Sequence, residues 1–440
     1  MTKILIRSGM LPFETYDEFD LLDRDRFGSN NGNLIYQYSV IRTLMREDVK
    51  VVSDEYSTNP NNAKKINENY NAYIIPLADA FRESFIPNLR KYTKLIKKLN
   101  IPVIVIGVGL KAPYNYDVKK GFNFDEDVID FMKAVLEKSN KVGLRGQLTA
   151  DYLESLGFQP EKDFTVIGCP SMYTFGRNIK LKEVSLNRDS LISVNASNIV
   201  TDNVMEFLIG ISNKYNNYYF IPQSYRELLL NYFGFDRINN VVENFPKDIA
   251  SKFYKEGRVK YFLNAPTWFD YMKETNLSIG TRLHGNIVAT INGTPSITIV
   301  QDARMRELSE YHALPSITPL DLKEYKNLEN IIKNIDFTLV EKVHPKRFDH
   351  YLEFLEDNNL KHIYIGNKNR IDAPLDDLVQ KITFDEPINT ITTISERERE
   401  IRLIRGFKIY KQRNNRLNNK KIKLLNEEIK ILKEKIHTLK

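Results

Sequence analysis

The chain has 440 residues, 42% hydrophobic and 28% charged, which is long enough for two or three domain cores and fits neither a fibrous nor a disordered protein. Its single cysteine, Cys169, excludes an intramolecular disulfide and a cysteine-built metal cage. The net charge of +7 is uneven: residues 396–440 carry fifteen Lys/Arg and six Glu, so the rest of the chain sums to −2 and gives no ground for nucleic-acid binding by the body.

The opening "MTKILIRSGM" has no apolar stretch of signal-peptide length. The longest apolar run, "IPVIVIGVGL" (101–110), is about half of the roughly 20 residues a membrane helix needs. The expectation is a cytoplasmic protein.

In chain order, "KILIRSG" (3–9) reads as a strand and "NLIYQYSVIRTLMRE" (33–47) as a helix. "VKVVS" and "AYIIP" are strands. A helix near 85–99, the strand "IPVIVIGVG", a helix near 125–138, the strand "KVGLRG" (141–146), a helix near 148–156 and the strand "FTVIGCP" (164–170) follow. This alternation predicts a parallel sheet covered on both faces. The polar, aperiodic stretch 176–190 is a candidate linker. The pattern restarts with strands at 191–197, 218–223, 259–264 and 277–280, and helices near 203–215, 225–233 and 267–275. Residues 320–360 read as mostly helical and 363–395 resist classification. The expected fold class is α/β. Two Rossmann-like, doubly wound halves span 1–180 and 190–360, an irregular connector spans 361–395, and a basic helix with a short coiled coil spans 396–440.

In that tail Ile422, Ile429 and Ile436 share one heptad position, and Leu425, Leu432 and Leu439 fall three residues later. Ile at a with Leu at d suits a parallel homodimer through 422–439. Glu428 at g would face Lys433 of a partner, whereas Lys435 would face Lys440. A solvated helix packed on its own body is the other reading. Upstream, 402–421 mixes basic residues with Ile404, Phe407, Ile409 and Tyr410. A peripheral contact with an anionic membrane, at its inner face, and a plain solvated linker both fit.

Ligands of open parallel sheets bind beyond the carboxyl ends of the strands. Cationic and hydrogen-bonding residues gather at those ends here: Asn31, Gly32 and Asn33 in "FGSNNGN", Arg145, Gln223 and Ser224, then Thr281, Arg282, His284, Gly285 and Asn286, then Asp302, Arg304 and Arg306. In "TRLHGN", Thr281 can cap a helix whose N-terminal amides suit an anion. Arg282 offers a planar fork for a carboxylate or phosphate. Gly285 permits close approach of a ligand or a strand. His284, with a reference pKa of about 6.5, can deliver a proton at neutral pH. A buried structural histidine beside a surface arginine is the bland alternative. "GVG" at 107–109 lacks the third glycine of a dinucleotide fingerprint. No metal-ligand motif or serine-nucleophile elbow occurs, so no metal or cofactor is assigned. Cys169 reads as a buried small residue before it reads as a nucleophile.

"LSIGTRLHGNIVATINGTPSITI" (277–299) resembles the signature of the polysaccharide pyruvyltransferase family. "GSNNGNLI", "KVGLRGQLTADYLESLG", "VIGCPSMY" and "DARMRELSEYHALP" agree in order, so the resemblance covers 27–315. It implies a GT-B-like pair of Rossmann-like halves, and transfer of a pyruvyl group from phosphoenolpyruvate to a sugar or glycan acceptor as a ketal. It also implies that Arg282 holds one anionic group, with Arg145 or Arg304 as a second clamp and His284 as general acid. Thr281, Gly285 and Asn286 fall with the donor-binding turn, and Asn31, Gly32, Asn33, Gln223, Ser224 and Asp302 are further candidate contacts. Some members carry a lysine where this chain has Arg304 and Arg306. Asp302 and Glu307 are the open choices for a base. A nucleotide-sugar glycosyltransferase of the same architecture is one alternative, and an inactive scaffold dimerising through its tail is another.

Overall fold

A computed structural model describes residues 1–234, 238–325 and 327–438; within the last helix, side chains are described to residue 423 and at 425 and 426. Strands β1 (Thr2–Ile6), β2 (Val49–Ser53), β3 (Ala72–Pro76) and β4 (Val103–Ile106) form a parallel sheet in the order β2-β1-β3-β4. Strands β5 (Val142–Leu144) and β6 (Phe164–Val166) pair with each other, and a parallel bridge from Val108 to Leu144 ties them to the end of β4. Both faces are covered, which is why β3 and β4 read as unbroken apolar runs and are buried throughout.

The second half repeats the design. Strands β7 (Leu191–Asn195), β8 (Asn217–Phe220), β9 (Lys260–Tyr261), β10 (Leu277–Gly280), β11 (Ser296–Ile299) and β12 (Ser316–Ile317) appear in sequence. Five of them make a parallel sheet ordered β12-β11-β10-β7-β8. The strand expected over 259–264 shrinks to β9. It meets the main sheet only through one bridge, Phe220 to Val259, and takes as its antiparallel partner β13 (Ile388–Asn389), two residues from the stretch that resisted classification. The stretch 176–190 holds no regular element.

The chain then returns to the first half. The Leu339–Asp357 helix stacks Tyr351 on Tyr173, 4.8 Å between ring centroids, and its Asp349 pairs with Arg177 at 3.0 Å. The fully buried Arg42, on the Gly32–Leu44 helix, forms a two-pronged pair with Asp376 (2.8 and 2.6 Å) and donates to the Thr174 and Ile371 carbonyls.

Two features join the halves. The turn 29–31 is laid against the second half: Asn31 N–H donates to the Gln223 carbonyl (2.9 Å), its Nδ2 donates to the Phe262 carbonyl (3.0 Å), and Asn30 bridges to Ser224. The C-terminal helices, Glu396–Ile401 and Phe407–Thr438 with a wider π-helical turn at Arg402–Gly406 between them, lie over both. Arg405 sits over Phe19 of the first half (4.1 Å) and Arg413 over Tyr225 of the second (4.2 Å). No helix among the described residues is long and apolar enough to cross a membrane. Of the expected heptad, Ile422 and Leu425 are exposed on the chain. The side chains of Ile429, Leu432, Ile436 and Leu439, with those of Glu428, Lys433, Lys435 and Lys440, lie outside the described residues.

Arg42→Met leaves the Asp376 carboxylate without its partner. The expected cost is about 3 kcal/mol, since breaking a buried pair strands one charge. Urea unfolding of the variant checks it, and a loss below about 0.5 kcal/mol, within the range of ordinary surface substitutions, would show that this pair does not fasten the returning segment.

Candidate active site

In a doubly wound sheet the crevice forms where successive connections leave in opposite directions. In the first sheet that point lies between β1 and β3, and in the second between β7 and β10. Residues just past all four strands line one cleft: Arg7 after β1; Ala78 and Asp79 after β3; Ser197 and Asn198 after β7; Thr281, Arg282 and His284 after β10. The two switch points therefore face each other across a cavity of about 330 Å³.

Its walls are cationic. Arg7, Arg82, Lys111, Arg145, Arg282 and Arg304 line it, against the carboxylates of Asp79 and Asp302. Arg145 is fully buried. Its Nε donates to the Gly107 carbonyl (3.0 Å), and its guanidinium lies 5.3 Å from the ring of Tyr36, whose hydroxyl donates to the Leu77 carbonyl (2.9 Å). Arg304 stands between Asp79 (3.6 Å) and Asp302 (3.4 Å). Burial pushes the Asp79 carboxyl up, but the charges of Arg304, Arg82 and Arg145 outweigh it and hold it below its ordinary value.

His284 occupies the first turn of the Leu283–Ile291 helix. Its Nε2 is 3.8 Å from Sγ of the buried Cys169, which also lies 4.0 Å from Nη2 of Arg145. Burial, then the charges of Arg145 and Arg304, push the imidazole down to about 3, so it is neutral at pH 7. Gly32, from the expected contact loop, packs directly on it: a Cβ at Gly32 would lie 2.9 Å from the His284 Cβ.

The other expected site residues divide. Arg282 lines the cleft, but its guanidinium is already held, Nη2 on Glu227 Oε2 (3.0 Å) and Nε on the Ala196 carbonyl (3.0 Å). The planar fork expected of Arg282 is thus already partly engaged by protein groups. Thr281 does not cap the helix. Arg282 occupies the cap position, its N–H donating to Asn195 Oδ1 (2.7 Å), and the Thr281 hydroxyl accepts from Ser197 N–H (2.7 Å). Asn286 is the hub of a buried network and does not line the cleft. Its Oδ1 accepts from Asn195 and Ser278 at 3.0 Å, and its Nδ2 donates to the Gly280 carbonyl (3.0 Å) and to Thr298 Oγ1 (3.2 Å). Gly285 gives room to protein, since a Cβ there would meet Gln223 Nε2 at 2.7 Å. Asn31 and Gln223 are buried in the joint between the halves, and Ser224 caps the Tyr225–Phe233 helix in a reciprocal box with Glu227. Asn33 and Asp302 do line the cleft, with Asp302 also capping the Ala303–His312 helix. Glu307 is buried behind Arg145 and accepts from Thr149 N–H (3.1 Å). Burial, opposed by the Thr149 hydrogen bonds, pushes its carboxyl up to about 7. Arg306 turns away, over Tyr114 (5.0 Å) and toward Asn115 (3.2 Å).

Arg7, Asp79, Arg82, Lys111, Ser197 and Asn198 escaped the sequence reading. Four of them lie within three residues of the end of β1, β3 or β7. Applying the strand-end rule to every strand would have found those four. Among the described residues no group of three His, Cys, Asp or Glu side chains comes together as metal ligands.

A model of the family described as polysaccharide pyruvyl transferase matches residues 30–302, more than half of the chain. The chain belongs to this family. Membership makes it a transferase of polysaccharide biosynthesis. The matched span runs from the joint turn at Asn30 to Asp302 and so takes in parts of both halves of the chain. No curated protein sequence matches it. Among solved structures it is similar to the functionally uncharacterized protein KP1_0663 from Klebsiella pneumoniae (12% identity, 72% of this chain and 93% of that one, TM-score 0.38). It is also similar to UDP-GlcNAc 2-epimerase from Methanocaldococcus jannaschii (13%, 81% and 99%, 0.42) and to MnaA from S. aureus (12%, 82% and 98%, 0.45).

Asn286→Ala separates the structural role from a ligand-binding one. Loss of this hub leaves several buried partners unsatisfied and is expected to cost about 2–4 kcal/mol in urea unfolding, at about 1–3 kcal/mol for each unsatisfied group. A variant of wild-type stability with weakened anion binding would return Asn286 to the binding surface.

Proposed function

We propose that this cleft binds phosphoenolpyruvate and transfers its pyruvyl group to two hydroxyls of a sugar, as a ketal, in the cytoplasm against the inner face of the membrane. The observation that carries the reading is the convergence of buried Arg145, Arg304 and a neutral His284 in one small cleft. Charge supports it. Six lining cations, set against Asp79, Asp302 and the Glu227 partner of Arg282, leave +3. A carboxylate with a phosphate monoester brings about −2.5 to −3. The volume of about 330 Å³ lies at the small end of ligand pockets and suits a compact donor.

The roles follow from placement. Arg145 and Arg304 flank the imidazole, so they hold the carboxylate and phosphate on either side of the reacting carbon. Arg282 and Arg7 close the cleft from the two switch points. The neutral imidazole must gain a proton before it can give one. Burial is the larger reason the imidazole is neutral and the two arginines add to it, so donor anions that offset their charge raise the imidazole pKa toward the range in which His284 can take up a proton. His284 then passes its proton to the methylene carbon, which becomes a methyl group. The adjacent carbon turns cation-like, a sugar hydroxyl forms the first C–O bond, and the neutral imidazole accepts that hydroxyl's proton. Cleavage of the carbon–oxygen bond to phosphate releases inorganic phosphate, which carries off the proton of the second hydroxyl as that oxygen closes the ring. Asp79 and Asp302 are both engaged with Arg304, and their part is to hold that cation in place.

Two measurements test the reading. With phosphoenolpyruvate and a panel of sugars in D2O, phosphate release is expected together with a ketal methyl group carrying one deuterium. Turnover with nucleotide sugars and none with phosphoenolpyruvate would overturn the assignment. His284→Gln should lower kcat by about 10²–10⁴-fold, the usual worth of general acid–base catalysis, with donor affinity nearly kept.

The second concerns protons. The free imidazole titrates at about 3 and the occupied one higher, so donor binding at pH 7 must take protons up, increasingly as pH falls toward the occupied value. Calorimetry in buffers of different ionisation enthalpy reads this directly. Uptake unchanged in His284→Gln would remove His284 from the proton path.

A further inference from the structure

We propose that the outer face of the C-terminal helix, centred on Ile404, docks this enzyme on an anionic membrane surface. The inner face is fixed to the body. Gly406 packs on Tyr232, where an added Cβ would meet the ring at 2.8 Å. Arg402 is buried, over the same ring (4.6 Å) and paired with Glu398 (2.7 Å). Arg416 pairs with Asp23. This helix is therefore a rigid rail across both halves.

Away from that fixed face, Ile404 is 66% exposed and Ile401 and Leu403 are 43% and 41% exposed, while Phe407, 44% exposed, also meets the Phe233 ring of the body at 6.4 Å. Ile401, Ile404 and Phe407 follow one another at three-residue spacing and Leu403 lies four residues before Phe407, so they span an apolar patch within two turns. Lys408 and Lys411 border it, both exposed. Between residues 401 and 423 the sequence has nine cations and no carboxylate. Lys408 and Lys411 pair with no carboxylate among the described residues. An apolar patch ringed by unneutralised cations is the composition of a helix lying in a lipid interface. A second copy of the chain suits it less, because a two-fold contact would set cation against cation. The wide π-turn at Arg402–Gly406 falls at the patch, and within it Arg402 and Gly406 are buried while Ile404 is exposed.

Flotation with vesicles of phosphatidylcholine alone and of phosphatidylcholine mixed with phosphatidylglycerol tests the proposal on the full chain. Binding is expected only with the anionic lipid, weakening as salt rises. Lys408→Gln with Lys411→Gln should lower partitioning about 25-fold, at about fivefold for each charge. Ile404→Ser should lower it about tenfold through lost apolar burial. Calorimetric titration with phosphoenolpyruvate serves as the folding control. Donor binding should stay at the wild-type value in all variants, and its absence from the wild type would touch the donor assignment alone. Equal binding to neutral vesicles, no binding, or indifference to these substitutions would overturn the proposal. A wild-type dimer that Ile404→Ser splits, without any lipid dependence, would give the face to a second copy.

Discussion

The whole arrangement depends on keeping several guanidinium groups apart in a space that draws them together. Like charges in a poorly hydrated cleft repel strongly, and each of these arginines is fastened by something else. Arg7 donates to Tyr92 Oη (2.9 Å) and the Pro76 carbonyl (3.1 Å), and Arg82 pairs with Asp79 (2.6 Å). Arg145 is tied to the Gly107 carbonyl and Arg282 to Glu227. The carboxylates offset part of the repulsion and leave a surplus. That surplus gives the cleft the charge that suits a compact anion, and after burial it is the second cause holding the His284 imidazole below its ordinary value.

That geometry exists only while both switch points face each other. Two sets of contacts hold them there: the Asn30–Asn31 turn seated on Gln223, Ser224 and Phe262, and the C-terminal helix laid across Phe19 and Tyr225.

Much of this was legible in the chain. Strand and helix positions followed from apolar periodicity, and the Tyr225–Phe233 helix matched its expected span because a Ser-x-x-Glu box opens it and Gly234 closes it. The second edge failed at β9, because a strand whose partner is two residues from a distant segment carries no local signal. At the site, the "TRLHGN" turn pointed to the cleft, yet it could not tell its ligand-facing members from its buried ones. Arg282 and His284 line the cleft while Asn286 and Gly285, one turn away, face protein. Which side of a helix start meets solvent depends on Asn195 and Gln223, and both come from other strands' ends. Arg82 lay in a loop without a motif, six residues past β3, and became a cleft neighbour only through the sheet order.

The returning segment carries a consequence for evolution of the enzyme. The family match ends at residue 302, yet the first half is finished by side chains from 339–379, Tyr351 on Tyr173 and Asp376 on Arg42 among them. The N-terminal half is thus a composite of two separate stretches of chain, and recombination cannot exchange it as one contiguous cassette. A crossover placed in the linker at 176–190 would give a hybrid whose N-terminal core is built by two parents at once.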